Sequence, residues 1–467
     1  MPAGRPHRSR PQVRGVIMPT ALRREPMTTL ARAANALLLQ AGRAAPDRLH
    51  WMLRHLPASG IDLLRRAALR RTVRLVGARS RFYRDKFARA GIDPGRVRSL
   101  ADLRACETTP EELRAAAPED LLCARPDLAV ESSGTTGRVT RVYLSHAELD
   151  YFARQGSILL AMIGATPADR ILGAFDYAWG LGGIYTQRFG AHSGLFGVFP
   201  GLVEPGEAVA RLGEYRFTIV MGDPFWIGRF TEVAMARGVR APIRAFVSGA
   251  ERITERLRGA IEDYWQAPLY MTYASTELGA SLGAECPAKT GYHLHEYDYA
   301  VEILNPDADG FGEVAFTTLT RSVMPLVRYR TGDIARLLPG ACACGLPFRR
   351  LSAVRGRSDE MVACVWGDVY PEFFDDLLRG IDGIGDEWQV AVRESGLRPI
   401  IEFRLESSGG PSTREAVDAA IRARVAARYP PLRAKTQQGL CDIVVCLLPP
   451  GTLRTGRKIR RLVDERR

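Results

Sequence analysis

Along residues 28–125 apolar and polar positions recur at helical spacing, and "ALRRTVRLVGARSRFYRDKFARAG" and "PEELRAAAPEDLL" predict charged amphipathic helices with Pro and Gly between them. From 127 to 355 the period shortens. The β-branched or aromatic runs "RVTRVYL", "RILGAF", "LFGVF", "FTIVMG", "IRAFVSG", "PLYMTYA", "YAVEIL", "GEVAFTTL" and "DIARLL" alternate with helical stretches, which predicts sheets covered by helices. Beyond "VRGRSDEMV" the texture changes once more. "EWQVAVRE", "RPIIEFRLE", the helical "TREAVDAAIRARVAARY" and "CDIVVCLLP" predict a small α+β unit of ordinary domain size. The expected fold class is α/β: a large multi-layer N-terminal domain with sheets flanked by helices, residues 28–357, plus a small C-terminal domain, 358–467. Residues 1–27 are expected to be a disordered leader or a mis-assigned start, with Met18 or Met27 as the true first residue.

The composition fits this picture and narrows it. With 467 residues, 46% of them hydrophobic, the chain can bury the cores of two or three domains. Apolar runs such as "SILLAMIGA" stop well short of the roughly 18 residues that span a bilayer, so no membrane partner is expected. The net charge of +13 is concentrated at the ends: residues 1–25 carry six Arg against one Glu, and residues 452–467 carry six Arg and one Lys against two acids. The body is close to balanced and shows no basic stripe interleaved with aromatics, which argues against nucleic acid. Only Lys86, Lys289, Lys435 and Lys458 are lysines, so a catalytic amine has few candidates.

Five motifs carry candidate chemistry. "ESSGTTGR" has the small and hydroxyl residues of a phosphate-cradling loop, with Arg138 as a charge, but lacks the GK[ST] ending of a P-loop. "YASTE" sets Thr276 and the Glu277 carboxylate just past an apolar run, suited to Mg²⁺ on a nucleotide's phosphates, while Tyr273 can lie against a base. In "YRTGDIARL", Asp333 follows a Gly turn where it can accept from ribose hydroxyls. "RGRSDEMV" offers Arg357 and Asp359, and "TGRKIRRLVDERR" places Lys458 after a Thr-Gly turn in what otherwise reads as a solvated basic helix or tail.

In this order the motifs resemble the adenylate-forming superfamily, in particular its phenylacetate–CoA ligase-like branch, through "ESSGTTG", "FVSGAE", "YASTELG", "AEC", "YRTGD", "CACG" and "GRSDEM" over roughly residues 80–467. The resemblance implies attack of a carboxylate on the α-phosphorus of Mg-ATP, giving an acyl-adenylate and pyrophosphate, then displacement of AMP by a thiol, usually coenzyme A. It assigns Ser132, Ser133, Gly134, Thr135, Thr136, Gly137 and Arg138 to the mobile loop over the phosphates. Gly249, Ala250, Glu251 and Tyr273 would border the adenine; Thr276 and Glu277 would hold phosphate and Mg²⁺; Asp333 and Arg357 would hold the ribose. Asp359 would be the hinge of a mobile small domain and Lys458 the adenylation lysine, although "GRKIRR" also aligns with Arg457 at that place. The chain departs from the family pattern at Arg138-Val139 for Lys-Pro, at Ala274 for Gly, and at Gly367, one place late.

Eight cysteines without a signal peptide suggest reduced thiols. Cys106, Cys123, Cys441 and Cys446 read as small core residues. Cys342 and Cys344 of "CACG", with Cys286 and either His293 or His295 of "ECPAKTGYHLH", could complete a structural zinc site. The resemblance sets "FDYAWGLGGIY" and "LGASLGAE" beside the acid. Phe175, Tyr177, Trp179, Gly180 and Gly279 are the expected pocket residues, and aromatics mixed with glycines suit a flat apolar ring.

The expected function is therefore a cytoplasmic, ATP-dependent aryl-type carboxylate–CoA ligase, with a homodimer left open. A second reading transfers the acyl group to a carrier-protein phosphopantetheine thiol, or stops at a coenzyme F390 synthetase-like adenylyl transfer. A third is a catalytically impaired nucleotide-binding protein.

Overall fold

The computed structural model describes residues 55, 57–132, 140–177, 179–250, 253, 255–357, 362–364, 367–369, 371–395, 398–408, 413–428, 442–454 and 459–465. Two helices, α1 (Ala58–Arg79) and α2 (Arg81–Arg89), open this part of the chain. Ser80 joins them by accepting the Tyr83 N–H into its hydroxyl at the start of α2. Leu69, Val73 and Val76 recur at helical spacing, and their buried stripe packs on Tyr83 and Phe87.

The centre of the large unit is a nine-stranded sheet. Its parallel half comprises β3 (Arg170–Ala174), β4 (Phe196–Val198), β5 (Ile219–Gly222), β6 (Ala245–Ser248) and β7 (Leu269–Ser275). These strands lie in the spatial order β4-β3-β5-β6-β7; β5 and β6 are buried throughout rather than alternating, as expected where helices cover both faces, while β4 at the edge is more open. Helices α3 (His146–Met162), α4 (Gly182–Ser193), α5 (Pro224–Ala236) and α6 (Glu255–Trp265) flank it. The antiparallel half continues through β8 (Ala280–Glu285), β9 (Tyr292–Leu294), β14 (Arg350–Leu351) and β13 (Leu337–Leu338). A second, four-stranded sheet is antiparallel: β10 (Tyr299–Leu304), β11 (Gly312–Thr318), β12 (Tyr329–Ala335) and β15 (Gly356–Arg357). The hairpin β1 (Leu128–Glu131) and β2 (Arg141–Leu144) stands apart from both.

Arg321, in the turn between β11 and β12, joins all three. Its side chain is fully buried, donating to the Glu277 carbonyl just past β7 and to the Tyr143 carbonyl on β2, both at 2.8 Å.

The small unit has its own core. Strands β18 (Ile384–Ser395), β19 (Arg398–Ser407), β20 (Asp442–Leu448) and β21 (Leu462–Asp464) form one sheet, packed on α7 (Pro371–Leu378) and α8 (Arg414–Arg428) through Phe374, Trp388, Phe403 and Ile421. A two-stranded piece, β16 (Val362–Cys364) with β17 (Gly367–Val369), precedes it. The basic C-terminal stretch is thus not a solvated helix or tail throughout. Leu462–Asp464 pairs in parallel with Val390–Val392, because Leu462 has a core site to fill. The two units touch where Arg256 donates to the Ile384 carbonyl at 2.6 Å and where Arg355 pairs with Glu372 at 3.1 Å.

One buried carboxylate pins the entrance of three parallel strands. Asp169, just before β3, accepts from the Thr218 hydroxyl before β5 at 2.7 Å and from the Arg244 guanidinium before β6 at 2.6 Å, and from the Thr166 N–H at 2.7 Å. Burial works against its charge, but these donors outweigh burial and bring the carboxyl down to about 2. A depressed folded value means that this stabilisation is present above the ordinary 3.8 and is lost as pH falls towards 2. Asp169→Ala is expected to cost about 2–4 kcal/mol in urea unfolding at pH 7, with a smaller difference from the parent chain at pH 2.5.

Candidate functional site

In a doubly wound sheet the carboxyl ends of the parallel strands face a crevice where the strand order reverses. Here β4 follows β3 on one side and β5 returns to the other, so the reversal falls between β3 and β5. A cavity of about 960 Å³ opens at these ends and extends to the small unit. Phe175 follows β3, Gly249 follows β6, and Thr276 and Glu277 follow β7, so strands of this sheet deliver candidate residues to one wall.

The second sheet supplies the opposite wall. Asp333 and Arg357 are directly paired residues of β12 and β15, and their side chains form an ion pair at 3.5 Å. The Tyr273 hydroxyl donates to the other Asp333 oxygen at 2.5 Å, linking β7 of one sheet to β12 of the other. Burial first, then the charge of Asp333, drives the Tyr273 phenol well above its ordinary value, so it stays a donor. Its ring packs between Tyr292 and Phe316, leaving 8% of the residue exposed on the cavity side.

At the end of β7 the Ser275 hydroxyl donates to Glu277 Oε2 at 2.9 Å, while the Glu277 carbonyl is held by Arg321. A half-buried carboxylate beside a hydroxyl is a hard oxygen donor set suited to Mg²⁺. Ser132 closes the base of the hairpin, donating its backbone N–H to the Thr140 carbonyl and accepting the Thr140 N–H into its hydroxyl, both at 2.9 Å. Ala250 has φ of 70°, in the left-handed region, and Gly249 precedes it. A β-carbon at Gly249 would overlap the Thr272 hydroxyl, which itself donates to the Ser248 carbonyl at 3.0 Å.

Of the other expected pocket residues, Phe175 and Gly180 line the cavity. Tyr177, Trp179 and Gly279 do not. The Tyr177 hydroxyl donates to the Phe199 carbonyl, and Trp179 is 79% exposed. Gly279, with φ of 88°, faces Leu144, Arg321 and Phe152. Ser133, Gly134, Thr135, Thr136, Gly137, Arg138, Glu251, Asp359 and Lys458 lie outside the described residues. Lys86 and Lys289 form ion pairs with Glu112 and Glu262, so both have structural work.

The deep arm of the cavity is lined by residues that the motifs did not reveal: Gln155, Leu159, Tyr185, Phe189, Met221 and Val247. The signal for one was present. Gln155 is a lone amide between Phe152 and Leu159 on the apolar stripe of α3, where a hydrophobic residue is expected.

Cys286, His293, Cys342 and Cys344 converge, with one donor atom of each within 4.8 Å of all the others. Cys286 Sγ is 3.6 Å from Cys342 Sγ, and Cys344 Sγ is 3.2 Å from His293 Nε2. His293 is therefore the histidine of this group, of the two the sequence offered. Burial favours the neutral imidazole of His293, pushing it down to about 4. Burial opposes ionisation of Cys342, but the Cys344 N–H and the Thr290 hydroxyl outweigh it and bring that thiol to about 7. Soft sulfurs with a neutral imidazole at this spacing fit a closed tetrahedral zinc site.

Known proteins resemble most of the chain. A family model described as "AMP-binding enzyme" matches residues 99–307. A phenylacetate-coenzyme A ligase of Thermus thermophilus is 31% identical over 447 residues, 89% of this chain and 99% of that protein. One from Escherichia coli is 31% identical over 345 residues, 69% of this chain and 77% of its own length. Among solved structures, 2-hydroxyisobutyryl-CoA ligase in the postadenylation state with its acyl-AMP superposes with a TM-score of 0.73 at 20% identity, over 88% of this chain and 90% of that one. The o-succinylbenzoate coenzyme A synthetase of Bacillus subtilis with ATP and magnesium gives 0.52 at 15% identity, over 71% and 68%.

Gly249→Ala is expected to lower stability by about 1–3 kcal/mol by displacing Thr272. Thr272→Ala in the same chain should recover most of that loss, and denaturant unfolding of the two single variants and the double variant reads the coupling.

Proposed function

This chain belongs to the adenylate-forming enzymes, in their phenylacetate–CoA ligase branch, and we propose that it activates an aromatic carboxylic acid with ATP and passes the acyl group to coenzyme A. The observation that supports this reading is the single cavity in which Thr276, Glu277, the Asp333–Arg357 pair and an arm lined by Phe175, Tyr185 and Phe189 stand together. Polar groups that suit a nucleotide occupy one end and ring-sized apolar surface the other.

In this reading Asp333 accepts from the ribose hydroxyls and is oriented by Arg357 and Tyr273. Glu277 and Thr276 would hold Mg²⁺ and phosphate at the end of β7, where the metal would supply charge neutralisation at the phosphates. The backbone at Gly249 and Ala250 borders the base, with Glu251 beside it. Ser132 anchors the Ser133–Arg138 loop over the leaving pyrophosphate. The acid's carboxylate oxygen attacks the α-phosphorus and pyrophosphate leaves; the coenzyme A sulfur then attacks the acyl carbon and AMP leaves. Positioning and electrostatics suffice for both steps, so no nucleophilic side chain is required. We place the division between the units at 357/358, the hinge at Asp359 and the adenylation lysine at Lys458, with the enzyme acting in the cytoplasm.

The Cys286, His293, Cys342 and Cys344 group would hold a structural zinc ion that staples β9 to the segments after β8 and β13, away from the reacting atoms. Metal analysis of protein purified without chelator should find close to one zinc per chain, and its absence would retire this assignment.

Acid-dependent ATP–pyrophosphate exchange across aryl and short acyl acids tests the main reading. Exchange is expected with aryl acids, with AMP and an acyl-CoA formed once coenzyme A is added. Exchange without a thioester, but with transfer to an added carrier protein, would move the acceptor to the phosphopantetheine thiol. Lys458→Ala should lower exchange about 100-fold or more, the scale of losing one electrostatic group at a developing charge, and unimpaired exchange would remove Lys458 from its role.

A further inference from the structure

Just past β9 the chain turns tightly, and three polar side chains of that region are committed within the protein. His293 joins the three cysteines. Glu296 accepts from Arg65 and Arg349 at 2.7 and 2.6 Å. Asp298 accepts from Tyr151 and Thr320 through Oδ1, at 2.8 and 2.9 Å, and from the Gln155 amide of α3 through Oδ2 at 2.5 Å. His295 stands among them and differs. Its backbone is fixed on both sides, since its N–H donates to the Leu282 carbonyl at 2.9 Å and its carbonyl accepts from the Asp298 and Tyr299 N–H groups at 2.9 and 3.1 Å. Its imidazole is not: neither ring nitrogen has a hydrogen-bond partner among the described residues, and neither is sealed in the protein as Gln155 Oε1 and His293 Nδ1 are. The residue is only 7% exposed, and it contributes to the cavity wall together with Gln155, Leu159 and Ser281. The two histidines that the sequence offered for one metal group therefore part company, one going to the cysteines and the other to the cavity. A buried polar group left unpaired costs about 1–3 kcal/mol, so an open imidazole on the wall of a largely apolar arm points to a ligand that pairs with it.

Resting on the aryl-acid reading above, we propose that His295 is a specificity-determining residue whose imidazole hydrogen-bonds a hydroxyl group on the ring of the acid. The substrate class is then a hydroxyaryl acid rather than an unsubstituted or alkyl-substituted one. A hydroxyl accepts from a ring N–H or donates to a bare ring nitrogen, so the pairing holds for either tautomer, whereas a methyl group of similar size pairs with neither. Leu159 and Phe189 supply apolar surface for the ring of the acid. The Phe189 ring lies directly on α3 at Gly156, where any β-carbon would overlap it.

The test compares benzoates and phenylacetates carrying a hydroxyl or a methyl group at each ring position, in ATP–pyrophosphate exchange with the full-length enzyme. For at least one position kcat/KM should favour the hydroxyl over the methyl compound about tenfold or more, since a site built to pair with a substrate hydroxyl discriminates against an analogue that lacks it. In His295→Leu that ratio should fall towards one, and in His295→Gln, which restores a donor and an acceptor, part of the preference should return. The ratio is read within one preparation, so partial unfolding does not change it. If His295→Leu fails to fold, His295→Phe, which keeps a ring but no polar atom, carries the same comparison. Equal kcat/KM for hydroxyl and methyl acids at every position in the parent enzyme, or a ratio unmoved by the apolar substitution, would overturn the proposal while exchange with unsubstituted acids leaves the aryl-acid reading standing. No exchange with any aryl acid would overturn both.

Discussion

A single buried guanidinium holds together the three sheets on which the cavity depends. Among the described residues Arg321 has no carboxylate in its hydrogen-bonding shell; its two terminal nitrogens donate to the carbonyls of Glu277 and Tyr143, its buried Nε has no partner, and burial lowers its affinity for a proton. Enclosing a cation against neutral carbonyls is costly unless the geometry is well held. The return is that the end of β7, the hairpin β1–β2 and the turn before β12 share one fixed point. Each carries a different part of the cavity wall: Thr276 and Glu277, Ser132, and Asp333 with its partner Arg357. Their mutual spacing is set through Arg321 and through the Tyr273–Asp333 hydrogen bond.

That dependence explains why the walls come from segments so far apart in sequence. The parallel strands could supply only what lies at their carboxyl ends, because their backbone groups are consumed in the ladder. The ribose-side pair had to come from a second sheet, where β12 and β15 set Asp333 and Arg357 opposite each other by register alone. Arg256 and Arg355 then reach the small unit, one of them to a main-chain carbonyl. Contact through a carbonyl depends on the backbone path and not on which side chains the small unit presents.

Much of this was legible in the sequence, for physical reasons that differ by element. The strands of the parallel sheet were visible because burial on both faces makes them short apolar runs, and β18, β19 and α8 because their periods are unambiguous. Thr276 and Glu277 could be read as polar residues just past an apolar run, whereas Asp333, read after a Gly turn, stands within β12. The strands β9 and β14 escaped, being short and polar, and are defined by pairing alone. Leu462–Asp464 escaped because charge around it masked one apolar residue with a core site. Tyr177 and Trp179 lie away from the cavity for a related reason: an aromatic in a motif-rich stretch gives no indication of which side of the chain it faces. Tyr185 and Phe189 line it instead, one turn apart on α4, a placement that depends on how α3 and α4 cross. The Cys and His residues were readable as a group, but only their folded positions chose His293 over His295.

Gln155 and Asp298 have a consequence for how such an enzyme could diversify. A change from Gln155 to an apolar residue would remove a donor from an enclosed carboxylate. Asp298 is already pushed up to about 6 by burial, held down only by the donors around it. Neither position can drift alone without a stability penalty. Across related sequences the two should therefore be inherited as a pair.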